Sequence, residues 1–355
     1  MKPRVTVLTT VYNGLPYLSE AIESILNQTY TDFEFLIIDD ASTDGSQECI
    51  NSFTDPRIRV SKNEKNIGQV PSLNKGLQLA RGKYIARLDQ DDVSLPNRLE
   101  EQIGFLEEHL DISIICSWEH SIDSDGRKVR DWKSVLKNYG DFLGTILIGK
   151  CPVWHPSVMF KKEVVMKLDG FDTSYAPAED YELWKRIALK RHNAAIVPRF
   201  HLLQRLHNRR LSILQGDRQA DHAERAHNET ISKFSPHQDV NCLAALLRLE
   251  KDPCGREYDR KHMREIICAL YEMISNVRDK QNLSNNELKS LKNIVYRRLG
   301  LGVRYGGVLT RLPSVMFYLL FFGLSPLLIP KVRIALSGFY NKLHEFRYKV
   351  NLFRH

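Results

Sequence analysis

Three carboxylates fall within four residues at Asp89-Gln90-Asp91-Asp92, directly after the run Lys83-Tyr-Ile-Ala-Arg-Leu88. Acids held that close repel one another unless a cation lies among them. Oxygen-only ligands suit Mg2+ or Mn2+, which take one or two carboxylates and fill their other positions with phosphate oxygens. An ion bridging a diphosphate would neutralise a departing phosphate group. Taken alone, the cluster is read at least as well as a solvated acidic turn with Asp caps ahead of Leu95-Pro-Asn-Arg98. Its place after a strand, together with the residues that follow, favours the metal–diphosphate reading.

A nucleobase needs a ring to stack on and one or two hydrogen-bond partners. Tyr12 offers the ring; Thr10 and Asp40 offer the partners. Asp44, ahead of Gly45, reads as a turn and helix cap. Glu179 and Asp180 open the pattern Ala178-Glu-Asp-Tyr-Glu-Leu-Trp184, with Tyr181, Trp184 and Ile187 on one helical face. The helix dipole stabilises acids in a first turn, so capping explains both without chemistry. His207, in Arg205-Leu-His-Asn-Arg-Arg-Leu-Ser212, reads equally as a ligand or as part of a solvated loop.

These residues need a frame. Val5-Thr-Val-Leu-Thr9 and Phe33-Glu-Phe-Leu-Ile-Ile38 read as strands rich in β-branched and aromatic residues. Asn13-Gly-Leu-Pro16 reads as a turn with Pro at a helix start, and Leu18, Ile22, Ile25 and Leu26 recur at helical spacing. A helix from about Gly45, a short strand at Ile58–Val60, a helix over 69–80 and a third long strand at 83–88 follow. Further strands are expected at 112–116 and 157–160, with a turn at Asp123-Ser-Asp-Gly126, and helices at 218–234, 239–250 and 257–300. Strand–helix alternation predicts an α/β fold, a mostly parallel sheet with helices on both faces. Ligands bind such sheets beyond the carboxyl ends of the strands. The polar residues at 10–13, 39–40 and 89–92 should therefore share one rim.

The 355 residues are 43% hydrophobic and 26% charged, as a folded chain should be. Six cysteines (49, 116, 151, 242, 254 and 268) form no Cys-x-x-Cys pair, which points to scattered reduced thiols. No signal peptide is expected, and Asn228-Glu-Thr230 is then no glycosylation site. The net charge of +8 is concentrated in residues 297–355, which hold ten Lys/Arg and the single acid Glu345. Leu312–Pro330 carries no charge, but Pro313 and Pro326 bound a helix of about twelve residues, or about 18 Å. That suits a dip into one leaflet better than a crossing of about 30 Å. Val332, Leu336, Phe339, Leu343, Phe346 and Val350 then form an apolar stripe flanked by Lys and Arg. Such a helix lies well on an anionic membrane surface, or packs on the protein's own core. The basic tail lacks an aromatic-interleaved patch, so no nucleic-acid partner is expected.

Several blocks resemble, in order, those of the bacterial family 2 glycosyltransferases. They are Val5–Asn13, Ser24–Thr29, Phe33–Gly45, Asn63-Glu-Lys-Asn66-Ile-Gly68 and Ala86–Asp92, then His155-Pro-Ser-Val-Met-Phe160 and Ala178–Trp184. The resemblance spans about residues 3–215. It implies a GT-A fold, Rossmann-like with flanking helices, and transfer of a sugar with inversion. By motif position it implies that Thr10, Tyr12 and Asp40 hold uridine and Asp89 reaches the ribose or diphosphate. Asp91 would bind Mn2+ or Mg2+ and Asp180 would be the catalytic base. Asn13, Asn66, Gly68, Gln90 and Glu179 fall in the same blocks on the donor side, with Glu179 near donor or acceptor. His207 occupies a segment where the family often carries a basic residue near the diphosphate, and is expected on donor or metal. His155 is expected on the acceptor side.

The expected protein is thus a metal-dependent hexosyltransferase taking a UDP-sugar to a glycan or lipid-linked acceptor hydroxyl in cell-surface polysaccharide synthesis. Residues 1–215 would be the catalytic domain, 216–300 a helical region and 301–355 a membrane-associating tail. It would work in the cytoplasm, peripheral at the inner face of the cell membrane. A soluble acceptor with the tail serving a homodimer, and a nucleotide-binding scaffold without turnover, are the rivals.

Overall fold

The computed structural model describes residues 2–235 and 260–305. The expected helix at 239–250, the uncharged run 312–330 and the basic stripe beyond it lie outside the described residues.

Strands β1 (Val5–Val11) and β2 (Phe33–Asp39) run parallel at the centre, and every β2 residue is buried. Strands covered on both faces read as continuous apolar runs rather than alternations. β3 (Ile58–Lys62) and β4 (Tyr84–Arg87) extend the parallel part on either side. Helices α1 (Leu18–Leu26), α2 (Ser46–Asn51) and α3 (Gln69–Leu79) make the crossovers. The third strand is shorter than expected, because the chain leaves the sheet at Leu88 to form the acidic loop. Helix α1 starts at Leu18, so Pro16 lies in the preceding turn rather than in the first helical turn.

Beyond β4 the sheet is mixed. The two-residue β5 (Val93–Ser94) and α4 (Arg98–Glu108) precede β6 (Ile112–Ile122) and β7 (Lys128–Trp132). Helix α5 (Tyr139–Leu147), β8 (Met159–Lys161), α6 (Lys162–Met166), α7 (Glu179–Leu189) and β9 (Asn193–Arg205) complete the sheet region. The sheet order is β3-β2-β1-β4-β8-β6-β9-β5, with β7 on β6. β8 is antiparallel to both β4 and β6, while β9 runs parallel to β6. The architecture is the GT-A arrangement, a mixed, mostly parallel sheet with helices on both faces.

One apolar layer packs α1 and α4 against one face through Ile22, Ile25, Leu99 and Ile103. The other face packs α3, α5 and α7. Helices α9 (Gly216–Phe234), α10 (Arg260–Lys280) and α11 (Asn285–Tyr305) follow a single turn, α8 (Leu211–Leu214). Ile231, Phe234, Met273, Val277, Leu291 and Val295 join that same second layer. The expected helix over 257–300 is two helices, separated where Asn282 takes φ 46°. Helix α11 lies against α5 at Gly140 and Gly144; a Cβ at Gly140 would sit 1.9 Å from the Glu287 carbonyl oxygen. Among the described residues no helix is long and apolar enough to cross a membrane.

Candidate active site

The carboxyl ends of β1, β2 and β4 supply one rim. Tyr12 is 46% exposed and offers a ring face to solvent. The Gln90 side chain clamps its backbone, accepting from Tyr12 N (2.9 Å) and donating to Tyr12 O (3.2 Å). Asn13 takes φ 52°; its Oδ1 accepts from Thr43 N at 2.8 Å, tying the two loops together. Asp40 is buried and accepts from Asn63 Nδ2 (2.7 Å), Ile67 N (2.9 Å) and Gly68 N (2.8 Å). Its carboxylate therefore orders the 63–68 loop, and Asn66 Oδ1 also accepts from Gly68 N (3.1 Å). Thr10 is half-buried near the end of β1. Asp44 lies one residue before the α2 N-cap, Gly45, and accepts from Ser46 N at 3.0 Å.

The acidic loop follows. Asp89 pairs with the buried Arg87 guanidinium. Burial pushes its carboxyl upward, but Arg87 and Arg210 outweigh burial and hold it below its usual range. Asp91 Oδ2 lies 2.7 Å from His207 Nε2. Asp92 accepts from Arg205 N at 2.8 Å; burial, with Asp91 and Asp89 beside it, raises its carboxyl well above normal. Arg205 anchors the loop further, donating to Asp91 O (3.2 Å), pairing with Glu20 and lying over the Tyr17 ring at 4.6 Å. Among the described residues no three His, Cys, Asp or Glu side chains group with metal-ligand spacing. The Asp91–His207 apposition supplies two ligands of the right type, a donor set that suits an ion whose other positions are filled by diphosphate and water.

The opposite wall is the start of α7 with the 151–155 segment. Glu179 is buried, and burial followed by the neighbouring Asp180 pushes its carboxyl up to about 8. Asp180 is half-buried; burial raises it to about 6, with Asp89 adding to the rise, although Tyr181 N donates to it at 2.6 Å. The pair is thus split, one carboxyl neutral and one ionised near neutrality. His155 is buried, and burial and then Arg87 hold its imidazole down to about 3, so it is neutral.

Three residues that sequence reasoning missed complete the arrangement. Glu119, on β6, is buried, and neither carboxylate oxygen has a hydrogen-bond partner. Burial raises its carboxyl to about 7, Asp89 adding and Arg210 opposing. An acid just past the apolar run Ile114-Ile-Cys116, where β6 continues to Ile122, was the available signal. Arg205 and Arg210 flank His207, and only the fold shows that they face the acids.

The model of the family described as "Glycosyl transferase family 2" matches residues 6–169. An uncharacterized glycosyltransferase of Methanocaldococcus jannaschii is 37% identical over 212 residues, 59% of this chain and 72% of that protein. The chain is a family 2 glycosyltransferase. The O-antigen biosynthesis glycosyltransferase WbnJ of Escherichia coli is 34% identical over 190 residues, 52% of this transferase and 71% of that protein. The solved structure of S. aureus TarS residues 1–349 in complex with UDP-GlcNAc shares the fold, with TM-score 0.56 and 17% identity over 85% of this chain and 91% of that one.

Proposed function

We propose that this transferase moves a sugar from a UDP-sugar to an acceptor hydroxyl with inversion, using a divalent ion. The observation that carries this reading is the pairing of two groups across one cleft: Asp91 with His207, and Glu179 with Asp180, whose environments set their protonation apart. Tyr12 stacks on the uracil, with Thr10, Asn13 and the Asp40-ordered loop through Asn66 and Gly68 around the nucleoside. Asp89 and Gln90 meet the ribose and diphosphate. Asp91 and His207 would hold Mn2+ or Mg2+, which would offset charge on the departing diphosphate. Glu179, neutral, donates a hydrogen bond to a sugar or acceptor oxygen. Asp180 takes the proton of the acceptor hydroxyl as that oxygen attacks the anomeric carbon. The anomeric C–O bond to the diphosphate breaks, and UDP leaves with the electron pair.

The WbnJ relationship supports a role in surface polysaccharide or lipid-linked glycan synthesis. Residues 1–215 act as the catalytic unit, 216–300 as its helical support and 301–355 as a basic tail on the inner membrane face. A screen of UDP-sugars for Mn2+-dependent UDP release tests the reaction. Release by the wild-type chain that disappears in Asp180→Asn is expected; no release from any UDP-sugar would indicate a scaffold. Deleting residues 305–355 should abolish binding to anionic vesicles, and undiminished binding would refute the tail's role.

A further inference from the structure

Glu119 is set opposite Trp132 in the antiparallel β6–β7 pair. Opposed residues of such a pair share a face. Trp132 is half-buried, and its ring meets Trp154 edge to face, 5.2 Å between centroids at 80°. Trp154 lies in the segment 151–155, close to the acids. On one side of it Cys151 is close enough to Asp180 to feel its charge. On the other, His155 responds to Asp89. The indole Nε1 of Trp154 is buried with no hydrogen-bond partner, as are both oxygens of Glu119. Buried polar atoms left unpaired are costly, and they recur where a ligand supplies the partners.

Two indoles at right angles beside a buried carboxylate suit a pyranose. The ring lays its C–H face on an indole, while its hydroxyls donate to the carboxylate and accept from the indole N–H. The nucleotide rim is on β1, β2 and β4, whereas Trp132 is on β7, on the far side of β8 and β6. We infer that Trp132, Trp154 and Glu119 form the acceptor seat, and that the acceptor ends in a pyranose sugar. This deepens, and rests on, the transferase reading above. A polyol phosphate chain has no flat C–H face, and its charge is disfavoured beside Glu119.

The test uses the full chain and needs no turnover for its first arm. Saturation-transfer NMR titrations employ methyl β-pyranosides of glucose, galactose and N-acetylglucosamine, with ribitol phosphate and glycerol phosphate as comparators. At least one pyranoside should bind. Trp132→Ala and Glu119→Gln should each weaken it by about tenfold, and Trp132→Phe should recover most of the loss. The second arm measures UDP release from a UDP-sugar without acceptor, expected within about twofold of wild type in Trp132→Ala and Trp132→Phe. Circular dichroism melting confirms folding, and the ring-preserving Trp132→Phe reports on the seat if the alanine variant unfolds. The inference is overturned if no pyranoside binds, if polyol phosphates bind as well, or if Trp132→Ala leaves pyranoside binding unchanged. A raised KM for the donor with unchanged pyranoside binding would move the seat to the donor sugar. Absence of UDP release from wild type would overturn the transferase reading alone, because the binding arm still decides the seat.

Discussion

The two walls of the cleft are built on opposite principles. On the rim at the ends of β1, β2 and β4 most polar groups are paired, although Asp39 keeps one buried oxygen without a partner: Asp40 accepts three hydrogen bonds, Gln90 makes two to Tyr12, and Asn13 binds Thr43. On the wall formed by β6, 151–155 and α7, Glu119, Trp154, His155 and Glu179 each hold a buried polar atom without a partner. The first wall is rigid before any ligand arrives, which suits recognition of an invariant nucleotide. The second carries stored desolvation, and its carboxyls titrate near neutrality, which suits proton transfer.

The largest effect that would sharpen this contrast is loss of the proposed base. Asp180→Asn should lower kcat by about 10²- to 10⁴-fold while UDP affinity, read by calorimetry, stays near wild type. The acid limb of the wild-type pH profile should fall near 6, where Asp180 gains its proton, and should vanish in that variant. Equal losses of UDP binding would erase the division between walls.

His207→Ala removes one of the two proposed metal ligands. The Mn2+ needed for half-maximal UDP release should rise by about tenfold, or ~1.4 kcal/mol. An unchanged metal requirement would reduce His207 to a loop residue.

Glu119 offers a stability test. Its carboxyl is pushed up to about 7 in the folded chain. The unfolded chain releases that proton near pH ~4.3, so the folded state binds more protons between the two values. Stability therefore declines as pH rises from about 4.3 to about 7 and levels off above. Glu119→Gln should remove this loss, gaining roughly 3 kcal/mol over wild type at pH 8 and little at pH 4 in urea unfolding. A variant less stable at pH 8 would mean that the carboxylate is paired after all.

The smallest effect concerns the rim's backbone. Ala41 follows Asp40 with φ 62°, a left-handed conformation that disfavours a side chain. Ala41→Gly should stabilise by about 1 kcal/mol without altering kcat. Destabilisation would show that the rim tolerates no added freedom.

The rim was legible in the sequence because buried parallel strands announce themselves as apolar runs, and the polar residues stopping β1, β2 and β4 must then meet. The opposite wall was not, for three physical reasons. β8 pairs with β4 across more than seventy residues of chain, a register no local pattern encodes. The strand expected at 112–116 runs on to Ile122, so Glu119 lies beyond the run that the local pattern marks as strand. Arg205 acts through its main chain and buried guanidinium, and side-chain type alone cannot show either. Asp40 shows a subtler gap, since residue type cannot reveal that loop 63–68 already occupies its oxygens.

Gly140 and Gly144 let α11 approach α5 closely, onto the Glu287 backbone at Gly140 and onto Ile294 and Leu291 at Gly144. Through such a close joint the two helices translate and tilt as one lever. One end of α5 feeds the 148–154 segment that walls the cleft; one end of α11, at Tyr305, hands the chain on toward its basic tail. Tension on that tail would reach the proposed catalytic carboxylates through a rod of about 31 Å.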